Sequence, residues 1–367
     1  MRIRLVYGRA GSGKTRRCLE SVALALRAEG PEGPPLILLT PEQATFQMER
    51  ALLEWTGGRA FTRARALSFR RLAHWVFAEN GGPETPAITP LQRRLLLRHL
   101  LRRLAPALQV FRRAALQPGF EDEAARILEE FLRQKVEAEG LRAIAAALES
   151  GEEEAGAGGE GARRYLAAKA RDLAALLEAY LRAAEGRFYQ PEEIPQLLAQ
   201  SLARRPLLGG ARVWVDGFAS FTPQEFEALG EVLRQAAETE LLLCLDPAAA
   251  RGATGGGAAA AADAREIFAE TLRTRDRLLG LAARIGAPPP EEIALEPPRG
   301  MGRFHAAPAL ARLEREWGRR RPATPPADGA DKEKAAESLR LIEAPTPRAQ
   351  ARAVARELRR LREEQGL

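Results

Sequence analysis

A chain of 367 residues is long enough to bury two or three separate cores. With 46% apolar and 29% charged residues it is neither disordered nor fibrous, and no apolar run approaches the ~20 residues of a bilayer span. The net charge of +7 admits a nucleic-acid partner, but five lysines among 56 basic residues leave 51 arginines, a bias that GC-rich coding produces unaided. No signal-peptide pattern precedes the first strand, so the expected location is the cytoplasm, with no membrane partner. The two cysteines, Cys18 and Cys244, are too few for a four-thiolate zinc or iron–sulfur centre and are expected as small buried residues.

Residues 1–80 alternate strand and helix. The run Ile3–Tyr7 reads as a strand, followed by a helix from about Gly13 to Glu29 that the linker GPEGPP ends. Leu36–Leu39 is a short buried strand. Thr40-Pro41-Glu42-Gln43 then has the form of a capping box, with Thr40 at the N-cap and Pro41 at the first helical position. A third strand at Arg65–Leu67 leads to Ser68, a second N-cap, and to a helix over Ser68–Phe77. From 81 to 204 strand candidates all but vanish. Thr89-Pro90-Leu91-Gln92 repeats the capping device, and helices are predicted at Phe120–Leu148, Arg163–Glu185 and Pro191–Arg204, with a flexible loop at Gly151–Ala162.

Alternation returns with the strand Arg212–Val215, a capping box at Thr222-Pro223-Gln224-Glu225 and the strand Glu240–Leu245. A low-complexity loop, Ala253–Asp263, precedes a helix through Ile285. Then come a proline-rich loop, APPPEEIALEPPRG, a helix over Ala307–Trp317 and a polar linker. A last strand, Ser338–Glu343, and a helix, Pro347–Glu363, end the chain one unit into another α/β domain, as expected of a fragment of a longer protein. Strands separated by helices at this spacing imply a parallel sheet and an α/β fold.

Gly8-x-x-x-x-Gly13-Lys14-Thr15 is a complete phosphate-loop motif set between strand and helix. Gly8, Gly11, Ser12 and Gly13 let backbone N–H groups turn around phosphate oxygens. Lys14 reaches the β and γ phosphates, and the Thr15 hydroxyl ligates Mg²⁺. The predicted cofactors are therefore ATP and Mg²⁺. A second carboxylate is expected at the end of a buried strand. Asp216, ending RVWVD and followed by an open loop and a capped helix, is the first candidate, and Asp246, ending LLLCLD, the second. Motors of this kind place a glutamate after that aspartate to orient the attacking water. Here Gly217 follows, so binding of ATP is predicted and fast hydrolysis is not, unless Glu42 or Glu225 substitutes.

GRAGSGKT, TPEQATFQMER and ALSFRRLAHWVF, in that order, resemble motifs I, Ia and Ib of superfamily-1 helicases, and VDGFASFTPQE resembles motif II with its usual Asp-Glu changed to Asp216-Gly217. PEQATFQMER, LSFRRLA, VWVDGFASFTPQE, FHAAPALARLEREW and LIEAPTPRAQARAVARE are together similar to the AddB-type subunits of bacterial helicase–nucleases. The resemblance implies a P-loop RecA-like parallel sheet with a large all-helical insertion. It divides the chain into a 1A-type domain (1–80 plus 205–317), a 1B-type insertion (81–204), a linker (318–335) and the start of a truncated second α/β domain (336–367). It also implies a degenerate motor, a part in double-strand-break processing and Chi recognition, and an AddA-like partner in a heterodimer. Single-stranded or duplex-end DNA would be bound through Thr40, Gln43, Ser68, Phe69 and Arg70, with Phe46 and His74 as further candidates. Such subunits end in a nuclease domain stapled by an iron–sulfur cluster; this sequence shows neither, so no nuclease activity is expected of it. Two readings stand against this one: a P-loop phosphotransferase, a small-molecule kinase whose lid is the 81–204 block, and an assembly module that nucleotide only stabilises.

Overall fold

The computed structural model describes residues 1–58, 61–150, 159–251, 266–296, 303–304, 307–317, 339 and 341–366. The low-complexity loop at Ala253–Asp263 and the linker at 318–335 lie wholly or almost wholly outside these residues. The described residues fall into two units. No helix among them is long and apolar enough to cross a membrane.

The first unit holds a six-stranded, all-parallel sheet. Its strands are β1 (Arg2–Gly8), β2 (Leu36–Leu39), β3 (Ala64–Leu67), β4 (Arg212–Val215), β5 (Glu238–Cys244) and β6 (Glu291–Ala294), in the order β3-β2-β4-β5-β1-β6. This α/β arrangement is consistent with a RecA-like sheet. The central strands are continuous apolar runs because both faces are covered. Leu36, Ile37, Leu38 and Leu39 are all buried, as are Val213, Trp214 and Val215. Registers such as Leu39 opposite Val215 and Gly8 opposite Cys244 align the carboxyl ends of the central strands.

Helices α1 (Lys14–Glu29), α2 (Thr45–Trp55) and α3 (Phe69–Asn80) connect or follow the first three strands. The all-helical stretch follows, with α4 (Pro90–Leu104), α5 (Phe120–Arg133), α6 (Ala138–Ser150), α7 (Glu160–Ala184) and α8 (Ile194–Arg204). It has its own core around Leu97, Leu101, Leu128, Leu177 and Tyr180. α9 (Pro223–Gln235) lies between β4 and β5. α10 (Pro247–Arg251) and α11 (Ala269–Arg284) precede β6, and α12 (Pro308–Glu316) and α13 (Pro347–Gln365) follow it.

Several expectations are corrected. Thr40 does not cap a helix: its N–H is held by Leu67 O at 2.9 Å, which keeps it in the sheet, and a one-turn 3-10 helix starts only at Glu42, with Pro41 as its N-cap. The same sequence pattern does cap at Thr89 and Thr222, where both boxes are closed, and Ser68 accepts from the Arg71 N–H as an N-cap should. The single helix expected over Phe120–Leu148 is two, because Lys135 takes a left-handed conformation (φ 55°) that no helix continues through. The proline-flanked EEIA is strand β6 rather than loop, an edge strand whose carboxylates pair with Arg2 and Arg275. Glu160–Ala162, expected in a loop, start α7. Of the expected last strand, Leu339 and Leu341–Glu343 are described, and none of them is in a strand. Cys18 is buried as expected, but Cys244 is exposed.

The second unit comprises Arg9–Gly13, Asp246–Ala269 and Leu295–Leu367. Within it the Arg9 guanidinium donates to Asp246 Oδ2 at 2.7 Å, to Glu314 Oε1 at 2.8 Å and to the Glu314 carbonyl, and lies over the Phe268 ring. α13 is capped by Thr346, whose hydroxyl accepts from the Ala349 N–H.

One buried charge orders the helical stretch. Arg93 of α4 donates to Glu129 of α5 at 2.5 Å, to Glu192 at 2.6 Å, to Tyr180 Oη of α7 at 3.2 Å and to Gln190 at 3.3 Å. Burial alone would lower its pKa, but Glu192 and Tyr180 outweigh burial and raise it, so the group stays charged. Breaking a buried pair from one side leaves its partners unmatched. Arg93→Ala is therefore expected to cost about 3–5 kcal/mol in urea unfolding, whereas Arg94→Ala, which removes an exposed pair with Asp122, is expected to cost under about 1 kcal/mol.

Candidate functional site

In open parallel sheets ligands bind outside the carboxyl ends of the strands. The turn after β1, Thr40 after β2, Ser68 after β3 and Asp216 after β4 all stand at such ends. β1 stops at Gly8 and α1 begins at Lys14. Between them Gly11 (φ 79°) and Gly13 (φ 92°) take the positive dihedrals that only glycine adopts at little cost, and Ser12 N–H closes the turn on Arg9 O at 3.2 Å. Lys14 Nζ donates to Gly8 O at 2.7 Å.

The Thr15 hydroxyl donates to Asp216 Oδ2 at 2.6 Å. Asp216 is 4% exposed. Burial pushes its carboxyl above the ordinary value, an effect that the Thr15 hydroxyl, the Gly217 backbone amide and the Lys14 charge only partly offset. Of the two strand-end aspartates, Asp216 thus meets Thr15, while Asp246 pairs with Arg9. Cys18, one turn along α1, has its thiol pushed well above the usual range by burial first and by Asp216 and Glu240 next, which makes it inert.

A cavity of about 260 Å³ opens beside these strand ends. One wall carries Thr40, Pro41 and Glu42 with Ser68, Phe69 and Arg70. A second carries Phe218, Thr222 and Glu225, and a third brings Arg133, Pro191, Glu192, Ile194 and Pro195 from the helical stretch. The Thr40 hydroxyl, fully buried, has no hydrogen-bond partner among the described residues. Ser68 is buried, caps α3 and donates to Glu42. Phe69 meets Phe218 edge to face at 5.8 Å, and Phe218 stacks on Phe221 at 4.9 Å.

Four of the residues expected to touch DNA, namely Thr40, Ser68, Phe69 and Arg70, meet in this cavity. Gln43, Phe46 and His74 are exposed and stand outside its lining among the described residues. Phe46 is 71% exposed. The two glutamates considered as substitutes for the missing water-orienting group are both engaged. Glu225 accepts from the Thr222 N–H at 2.9 Å, and Glu42 holds Ser68 and lies 3.5 Å from Arg71. Sequence reasoning missed the third wall. Its residues come from 63 to 155 positions further along the chain than those of the first wall, and PEEIP carries no signature beyond a helix start. Phe218 was in view only as part of a motif whose acidic residues are lost.

The fold and site define a parallel α/β protein with a phosphate-loop sequence motif at the end of its first strand. The chain matches the family model described as ADDB, N-terminal, over residues 5–314, and it belongs to that family. Relatives named as B-type subunits of an ATP-dependent helicase/deoxyribonuclease match the whole chain: 40% identity in Desulforudis audaxviator, 39% in Symbiobacterium thermophilum and 41% in Pelotomaculum thermopropionicum. The chain spans 29% of the length of each of these three relatives.

Because Asp216 is raised in the fold, its ionisation opposes folding. That penalty is absent below the ordinary value of 3.8, where folded and unfolded carboxyls are both protonated, and grows as the pH rises above it. Asp216→Asn in chelator-treated protein is expected to raise the melting temperature at pH 7, and the gain is expected to shrink as the pH falls towards 4, by scanning fluorimetry.

Proposed function

We propose that this chain is the nucleotide-binding, helicase-like part of a subunit of a DNA-break-processing helicase–nuclease, holding ATP with Mg²⁺ and hydrolysing it slowly or not at all. The names of the relatives point to ATP and DNA. The observation that carries the reading is the Thr15 hydroxyl on a buried Asp216 carboxylate at 2.6 Å, beside a turn of phosphate-loop sequence. A buried carboxylate paired with an uncharged hydroxyl and held up by burial is a fit donor set for a hard divalent cation that keeps its remaining ligands from water and phosphate. No group of three or more His, Cys, Asp or Glu side chains among the described residues could hold a metal by itself, which suits an ion shared with a nucleotide.

In this reading Gly8, Gly11, Ser12 and Gly13 turn backbone N–H groups to the phosphates, and the α1 amino end adds its positive dipole. Lys14 leaves the Gly8 carbonyl for the β and γ phosphates. Thr15 and Asp216 would hold Mg²⁺, which when bound neutralises phosphate charge. Gly217 offers no group to orient a water molecule, and Glu42 and Glu225 are committed elsewhere. Single-stranded DNA, or the frayed end of a duplex, passes over the strand ends. One unstacked base enters the cavity against Phe69 and Phe218, Arg70 and Arg133 meet phosphates at the rim, and Ser68 and Thr40 line the inner wall. Gln43 is placed by the resemblance alone. Residues 1–80 with 205–317 act as the 1A-type domain, 81–204 as the 1B-type insertion and 336–367 as the start of a second α/β domain. An AddA-like subunit supplies the working motor in a cytoplasmic heterodimer, and no nuclease step is assigned to the residues of this chain.

The test is ATP binding and turnover with and without single-stranded DNA, in wild type and Lys14→Ala. Wild type is expected to bind ATP, Lys14→Ala to lose at least about tenfold in affinity, and DNA to leave turnover near background. Oligonucleotide affinity is expected to fall steeply with salt, as counterion release requires. Brisk DNA-stimulated turnover would overturn the degenerate motor, and a wild type that does not bind ATP would overturn the nucleotide site.

A further inference from the structure

The residue after Asp216 has a second role. Gly217 has φ 89°, a region that side-chain-bearing residues seldom enter. A Cβ built there would lie 3.1 Å from Pro41 Cδ, 3.6 Å from Pro41 Cγ and 3.7 Å from the Thr40 hydroxyl oxygen. A side chain at 217 would therefore crowd the residues that follow β2, and Thr40, Pro41 and Phe218 line the cavity.

The loop beyond Gly217 is clamped along its length. The Ala219 carbonyl accepts from the Thr274 hydroxyl at 2.9 Å, Ser220 donates to Glu270 at 2.6 Å, and the Phe221 carbonyl accepts from Arg277 at 3.4 Å. Arg277 also lies over the Phe226 ring at 4.3 Å. The positive φ at 217 turns the chain into this clamped loop, in which the Phe218 ring meets Phe69 and lines the cavity.

We infer that Gly217 is a positioning residue for DNA: its left-handed backbone and close approach to Pro41 aim Phe218 at the bound base. The inference rests on the reading of the cavity as a DNA site. It makes the glycine more than a lost carboxylate, because the loop that follows the Mg²⁺ ligand has been turned into part of the base-binding wall. A side chain at 217 would be strained by φ and pushed against Pro41, and relief of either would swing Phe218 out of line.

The test is a double-mutant cycle on the full chain, with a fluorescein-labelled single-stranded oligothymidylate as the DNA probe and the thermal unfolding transition as the control for folding. Phe218→Ala is expected to weaken the oligonucleotide about tenfold, the scale of one lost base–aromatic stack. Gly217→Ala is expected to do about the same, in a protein that still unfolds cooperatively. The double variant is expected to bind no more weakly than Phe218→Ala, because the glycine acts only through that ring. Gly217→Asn, which tolerates a positive φ better while keeping the contact with Pro41, is the variant to use should Gly217→Ala fail to fold, and it is expected to weaken the oligonucleotide less. Losses that multiply in the double variant, or a Gly217→Ala protein that binds DNA as wild type does, would overturn the inference. Arg70→Ala separates the two levels. If it and Phe218→Ala both bind as wild type does, the cavity reading has failed as well. If Arg70→Ala is weakened and the Gly217 variants are not, only the positioning role falls.

Discussion

A carboxylate buried at the end of a parallel strand, with an uncharged hydroxyl as its hydrogen-bond partner, is the constraint around which this end of the sheet is arranged. Asp216 is expensive to bury as an anion, and the Thr15 hydroxyl and the Lys14 charge only partly compensate. Such a group is stable only because the sheet over-determines its place. β4 is paired on both sides, and its last residue, Val215, is in register with Leu39 and Leu241. A site that is under-satisfied in isolation is one that a cation and a phosphate chain can complete. The same logic applies to the orphaned Thr40 hydroxyl one strand away.

In the proposed reading, the glycine that follows Asp216 is tied to the local backbone conformation and not only to the loss of one side chain. A motor needs a carboxylate next to the strand-end aspartate, where the chain here has a positive φ and a Cβ would lie a tight 3.1 Å from Pro41 Cδ. Restoring the side chain would disturb the contact between the loops after β2 and β4. The residues that follow build an aromatic cluster from Phe218, Phe221 and Phe226. In the proposed reading, nucleotide and DNA would be held by successive residues of one loop.

Much of this was legible in the sequence because it is local. Leu36–Leu39 and Arg212–Val215 are unbroken apolar runs, the mark of strands covered on both faces, and the phosphate-loop spacing places Gly8, Lys14 and Thr15 without reference to the rest of the chain. What escaped was set at long range. Thr40 carries the same Thr-Pro-x-Gln pattern that caps α4, but a sheet hydrogen bond from its own N–H to the Leu67 carbonyl overrides it. Glu291–Ala294 reads as loop because an edge strand needs charge more than apolar faces. The break at Lys135 has no glycine or proline to announce it. One of the three cavity walls comes from Arg133, Pro191, Glu192, Ile194 and Pro195, and nothing in those residues indicates that they face Phe69. The DNA candidates divide the same way: a motif names a segment, but only the fold shows that Phe69 and Arg70 face the cavity while Gln43 and Phe46 do not line it.

The most direct measurement is photocrosslinking of the full chain to a single-stranded oligonucleotide carrying 5-iodouracil, in the presence of Mg²⁺–ATP, with the adducts located by peptide mass spectrometry. The account predicts adducts on Phe69 and Phe218, the two cavity-lining rings against which the base would lie. Adducts confined to other surfaces, with both phenylalanines unmodified, would contradict it.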